Sequence, residues 1–263
     1  MRQFWKDTRV VWAAYVAAAL LISAQKITQG FFDGSLFEDW GGRTAYENYR
    51  IFKTSFFYLT DGSNPYAGYS NGPWDLYKYS PAFALFMGPF AVLPDWLGLP
   101  LWNLLNALVL LTAILRLPVL TENQRVFMAW FVFIELATSM QNSQSNGLTA
   151  GLMLWTFIAF ERGKLWQAAG FVAASTFIKI FGIFAAAWAL LYPRWLKFSL
   201  WLAVWSVFLT LAPLLVVSPK HLWQVYQWWW ELLRDDHAAS VGLSVQGWLQ
   251  TWFGWVPSKM GVT

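Results

Sequence analysis

Eight apolar runs, at residues 10–24, 81–93, 97–115, 126–140, 148–160, 165–178, 180–191 and 198–217, leave this chain few ways to fold. Charged residues make up only 12% of its 263 residues and hydrophobic ones 57%, against about 25% charged in an ordinary globular domain. Too little polar surface remains to coat a soluble sphere, so the apolar surface must meet lipid. The expected fold is therefore all-α, a polytopic transmembrane helical bundle forming one membrane-embedded domain over residues 1–263. High hydrophobicity, unpatterned glycine and the lack of cysteine exclude disorder, collagen and a disulfide scaffold. The net charge of +4 is scattered, without the Lys/Arg run that marks a nucleic-acid partner.

Several runs are shorter than the ~20 residues a straight span needs. They can borrow flanking Trp, Tyr and Lys for the interfaces, and the chain has 20 Trp, or they can form broken helices facing a protein-lined cavity. Orientation follows from the short basic connections. Arg2, Lys6, Arg9, Arg116, Arg125, Arg162, Lys164, Arg194 and Lys197 sit there with only Asp7, Glu122 and Glu161 for company. That bias predicts a multi-pass protein of the cell (inner or plasma) membrane with a cytoplasmic N-terminus. A basic start and an apolar run ending in Ile22-Ser23-Ala24 also fit a signal peptide. A permanent first helix is the expectation, because the rest of the chain is itself embedded.

On this orientation the long segment 25–79, the polar turn 141–146, Lys179 and the stretch 220–237 all fall on the outer face. Residues 81–115 are too long for one crossing, and two crossings would put Arg116 outside, so 81–93 is expected to be re-entrant or interfacial. Residues 221–233, with Trp223, Tyr226, Trp228, Trp229 and Trp230, predict an amphipathic helix in the headgroup layer.

The outer segment carries Asp33, Glu38, Asp39, Glu47, Asp61 and Asp75, and its many aromatics predict short helices lying on the membrane. A loop of that length between spans is usually functional; the bland alternative is a solvated loop kept wet by its carboxylates. From Leu165 to Pro193 the only charge is Lys179. An ammonium in such a run either snorkels to the interface or faces a cavity and an anionic partner, here a phosphate. Glu135 is the matching acidic oddity, protonated or paired. The amides of Gln141 to Asn146 either bond sugar hydroxyls or cap two helix ends. His221 and His237 are too few and too scattered for a zinc site, and no Asp-x-Asp pair holds a metal-nucleotide, so neither a metal nor a cofactor is expected.

Taken in order, Asn48-Tyr49-Arg50-Ile51-Phe52, Gly62-Ser63-Asn64-Pro65-Tyr66, Tyr77-Lys78-Tyr79-Ser80-Pro81-Ala82-Phe83-Ala84-Leu85, Gln141 to Leu148 and Ile178-Lys179 to Gly182 form a recognisable series. The series resembles glycosyltransferase family 87, polytopic membrane enzymes of the GT-C type that include polyprenyl-phosphate-mannose-dependent mannosyltransferases. The resemblance implies a large outer loop with an acidic base and a membrane-facing groove for a polyprenyl-phosphate sugar. It also implies further spans after Trp252-Phe253-Gly254-Trp255, so the C-terminal part of the usual fold is expected to be missing.

Asn48 stands where the family's Asp aligns and cannot act as a base; Glu47 or Asp75 is expected to supply the carboxylate, the alternative being an inactive protein. Lys179, with Lys78, is then the donor-phosphate contact, and Gln141, Asn142 and Asn146 the sugar contacts. The expected activity is transfer of a hexose such as mannose from a polyprenyl-phosphate donor to a lipid or glycan acceptor. A transporter or flippase for lipid-linked anions, and a truncated non-catalytic subunit, are the alternatives.

Overall fold

The computed structural model describes residues 7–32, 44–68, 75–239 and 251–254. Twelve helices and no strand occur among the described residues. In chain order they are α1 (Thr8–Phe32), α2 (Glu47–Asp61), α3 (Pro81–Phe86), α4 (Gly88–Ala91), α5 (Asp95–Leu115), α6 (Glu122–Gln141), α7 (Asn146–Glu161) and α8 (Leu165–Ile178). A 3-10 helix (Ile180–Leu191), α9 (Trp195–Leu211), a short 3-10 turn (Ala212–Leu215) and α10 (Pro219–Ala239) follow. Thr8–Gln29, Asp95–Leu115 and Trp195–Leu215 are long and apolar enough to cross a membrane. On α9 only Phe198 is buried, while Leu196, Leu200, Val204, Val207 and Phe208 lie exposed. A helix that shows so much hydrocarbon outward is stable against lipid and not against water.

The successive apolar helices α1, α5, α6, α7, α8, the Ile180–Leu191 helix and α9 alternate in direction, and polar contacts between them fix the register. Thr8 Oγ1 meets Glu122 Oε1 at one end, Tyr15 donates to the Ala129 carbonyl at 2.8 Å, and Asn103 Nδ2 donates to Ser23 Oγ at 2.9 Å further along. α1 and α6 therefore run together and α5 runs against them. The turns with Arg116 and Arg125, with Arg162 and Lys164, and with Arg194 and Lys197 gather at one end, where Tyr192 bonds Glu161. That is the basic end; the opposite, polar end carries the turn from α6 to α7, Lys179 and α10.

α1 continues eight residues beyond the predicted apolar run, because Gln25, Lys26, Thr28 and Gln29 are compatible with helix once the chain leaves the apolar layer. It is an integral wall of the bundle: Val11, Tyr15, Ala19 and Ser23 are fully buried. Residues 2, 6, 33, 38, 39, 43, 240–250 and 255–263 lie outside the described residues.

The tightest helix pair is α5 with α7, and glycine explains it. A Cβ on Gly151 would lie 2.9 Å from the backbone nitrogen of Leu110, and one on Gly147 would lie 3.1 Å from the Asn106 carbonyl oxygen. Two glycines four residues apart thus open a groove in α7 into which α5 fits, the packing device of membrane helices.

The segment 81–93 folds as α3 and α4 and returns to the end it started from. Ser80, before α3, bonds the end of α8, and Asp95, opening α5, is gripped by Lys53 (2.7 Å) and Tyr46 (3.1 Å) of the outer segment. Pro81 occupies the first turn of α3, where a missing N–H costs nothing. α2 departs from the expected surface helices. Its Tyr49, Ile51, Phe52, Ser55 and Leu59 are buried, and the Phe52 ring packs edge-on against Phe83 and Trp102 at 5.2 and 5.7 Å. Aromatic spacing alone does not tell a helix lying on lipid from one lying on protein.

Candidate active site at the polar end of the bundle

Lys179 sits where α8 stops. Its backbone is extended (φ −137, ψ 125), so the apolar run of residues 165–191 is two helices joined at the lysine. The break leaves the last carbonyls of α8 without helical partners. The Lys179 amide takes the Ser175 carbonyl at 2.8 Å, and Ser80 Oγ donates to the Phe177 carbonyl.

The α6–α7 turn faces this break. Ser143 adopts φ 51, and the turn is held from below by α5: Trp102 Nε1 donates to the Ser143 carbonyl at 3.0 Å, and Asn106 Oδ1 accepts the Leu148 amide at 2.9 Å. Asn106 thereby satisfies one of the orphan amides at the start of α7. Held this way, Gln144 Oε1 and Asn146 Oδ1 accept from Lys179 Nζ at 3.3 and 2.5 Å. The Phe181 ring lies 5.7 Å from the same ammonium. Among the described residues no carboxylate lies within ion-pair distance of Lys179, so its charge rests on neutral amides alone.

Lys179 opens into a cavity of about 320 Å³ between the outer segment, α8 and α10. Asn48, Asp75, Lys78, Tyr79, Gln144 and Trp229 line it with Lys179. Asp75 is exposed and accepts the Leu76 amide at 2.7 Å, and the exposed Lys78 lends its carbonyl to Trp229 Nε1 at 3.3 Å. Tyr79 donates to Gln144 Oε1 at 3.4 Å, and burial pushes its phenol up to about 12, so it remains a donor.

Of the expected site residues, Asp75, Asn48, Lys78 and Lys179 meet in this cavity, and Asn146 reaches it through Lys179. Glu47 does not line it: its Oε2 accepts from Thr44 N (3.1 Å) and Oγ1 (3.0 Å), and it pairs with Arg50 at 3.9 Å. Gln141 and Asn142 also stay outside; the Asn142 side chain bonds the Thr138 carbonyl, and its own carbonyl accepts from Asn48. Gln144, Tyr79 and Ser80 enter instead. All three stood in the motifs, but only the left-handed turn at Ser143 and the bonds from Trp102 and Asn106 decide which amide of Gln141 to Asn146 points inward. Glu135 does not line this cavity; it is exposed on α6 in an apolar groove that Leu136, Ser139, Asn146 and Met153 also line.

A family model described as glycosyltransferase family 87 matches residues 77–256, more than half of the chain. The chain belongs to glycosyltransferase family 87. No curated protein and no solved structure matches it. The family 87 match takes in Tyr77-Lys78-Tyr79-Ser80-Pro81, the α6–α7 turn and Lys179; Glu47, Asn48 and Asp75 lie ahead of its first residue. The protein is thus a glycosyltransferase with apolar helices suited to a membrane, acting on a sugar donor and an acceptor.

Proposed function

We propose that this glycosyltransferase uses a polyprenyl-phosphate hexose as donor and transfers the sugar to a lipid or glycan acceptor on the extracytoplasmic face. The protein then crosses the cell membrane several times with its N-terminus and basic end in the cytoplasm, as the basic connections favour. The observation that carries this reading is the Lys179 ammonium, seated on neutral amides in a cavity at the polar end with no carboxylate within ion-pair distance among the described residues. A phosphate supplies a counter-charge.

In the proposed reaction the acceptor oxygen attacks the anomeric carbon as the bond from that carbon to the phosphate oxygen breaks. The phosphate leaves with the bonding electrons, and Lys179 stabilises the charge that develops on it. Asp75 takes the acceptor proton, since it shares the cavity with Lys179 while Glu47 is engaged elsewhere. Gln144 and Asn146 hold the ammonium, and Lys78 stands at the rim for the same phosphate. Asn48, with no basicity, serves the frame.

The test is transfer of radiolabelled mannose from polyprenyl-phosphate mannose by the purified protein in lipid nanodiscs. Wild type and Glu47→Gln should transfer, Asp75→Asn should lose at least about a hundredfold in rate, and Lys179→Met should raise the donor KM. Binding without any transfer would favour a non-catalytic subunit, and absence of both would remove the polyprenyl-phosphate donor.

A further inference from the structure

We propose that Ser80 is a positioning residue for the Lys179 ammonium, because its hydroxyl occupies the Phe177 carbonyl that would otherwise capture that charge. The proposal deepens the donor-site reading and rests on it. The carbonyl end of a helix carries partial negative charge, and a lysine at that end bonds the last carbonyls readily. Thr176, Phe177 and Ile178 line the same cavity as Lys179, so the last turn of α8 borders the space that the ammonium enters. It is nevertheless bonded to Gln144 and Asn146 of the α6–α7 turn.

Ser80 accounts for the difference. It is 1% exposed, its Oγ accepts the Phe83 amide at 3.2 Å as the N-cap of α3, and its carbonyl accepts from Tyr77 at 2.7 Å. With the oxygen turned to Phe83, the one hydroxyl proton goes to the Phe177 carbonyl. Pro81 behind it sets the entry into α3 and keeps the hydroxyl aimed. One serine therefore closes two helix ends, and the second closure frees the lysine for the cavity.

The experiment uses the full chain in nanodiscs with polyprenyl-phosphate mannose, comparing Ser80→Gly, Ser80→Thr and Ser80→Gly combined with Lys179→Met. Glycine is nearly as good an N-cap as serine but donates nothing, so α3 persists and thermal unfolding reports it. Ser80→Gly should raise the donor KM severalfold and lower kcat as well, since the diverted ammonium also serves the leaving phosphate, so that kcat/KM falls about tenfold. Ser80→Thr should restore the wild-type KM. In the Lys179→Met background Ser80→Gly should add nothing, since it acts only through that lysine.

A second measurement needs no substrate: acylation of Lys179 by a small amine reagent, followed by mass spectrometry, should slow about fivefold in Ser80→Gly as the ammonium turns to the Phe177 carbonyl. Unchanged KM and unchanged acylation in Ser80→Gly overturn the positioning role and leave the donor site standing. So does a KM effect that persists in the Lys179→Met background. If Lys179→Met alone leaves KM unchanged, the donor site itself falls, and the acylation rate still decides what Ser80 does.

Discussion

Asn48 Nδ2 donates to the carbonyl of Asn142 at 2.8 Å and thereby ties α2 to the turn between α6 and α7. A carboxylate at this position has no proton to give and would face a carbonyl oxygen. The position where the resemblance places an acid is used here to clamp two parts of the cavity wall together.

Asn48→Asp should therefore lower stability and bring no gain in transfer activity. The lost bond is solvent-accessible and costs about 0.5–1.5 kcal/mol. Thermal unfolding of the variant in detergent measures the loss, and a gain of transfer activity would contradict the structural role.

Trp102→Phe keeps an aromatic ring in the core but strips the Ser143 carbonyl of its donor. An orphaned buried carbonyl costs about 1–3 kcal/mol. Because the same turn aims Gln144 and Asn146, donor affinity should fall along with melting temperature. Loss of stability with donor affinity intact would separate the turn from the site.

Gly151→Ala should push α5 and α7 apart, since the new methyl would stand 2.8 Å from the Val109 side chain and 2.9 Å from the Leu110 backbone nitrogen. Backbone cannot yield as a flexible side chain does, and a cost of about 1–3 kcal/mol is expected. Ala150→Gly, one residue away on the exposed side of α7, is the comparison: its cost should stay near 1 kcal/mol from helix propensity. Denaturation of both variants in parallel distinguishes packing from propensity.

Alkaline pH should unfold the polar end. Burial raises Tyr79 to about 12 and holds Tyr66 and Tyr77 well above the ordinary 10.0 of tyrosine. Below pH 10 the phenols are protonated in both states and the stabilising difference is fully present. Between pH 10 and 12 the unfolded chain releases protons that the folded one keeps, so stability falls as pH rises. Tyrosinate absorbance should lag behind model tyrosine and then rise together with loss of helix; simple titration near pH 10 without unfolding would refute the burial.

Much of this was legible in the apolar runs. They mark the helices of the bundle, the scattered basic turns collect at one end, and Lys179 stands out as the one charge between Leu165 and Pro193. The pair Gly147 and Gly151 is equally visible as a glycine spacing, and the close approach of α5 to α7 rests on it. What sequence could not supply was direction. Glu47 and Asp75 look alike as acids, yet Glu47 closes the start of α2 on Thr44 while Asp75 faces the cavity. The six residues Gln141 to Asn146 share one polar character, and a single backbone angle at Ser143 selects Gln144 among them. Such choices are made by neighbours distant in the chain, here Trp102, Asn106 and Ser80.

The run from Ile180 to Leu191 has only 12 residues, and as an α-helix it would reach about 18 Å. Wound as a 3-10 helix, at a rise of about 2.0 Å per residue, it reaches about 24 Å. On the proposed topology that stretch brings a short segment within a few ångströms of the thickness of a hydrocarbon layer, roughly 30 Å. Bilayers are measured in length and sequences in letters, and a tighter coil is one way for a chain to gain the first without adding the second.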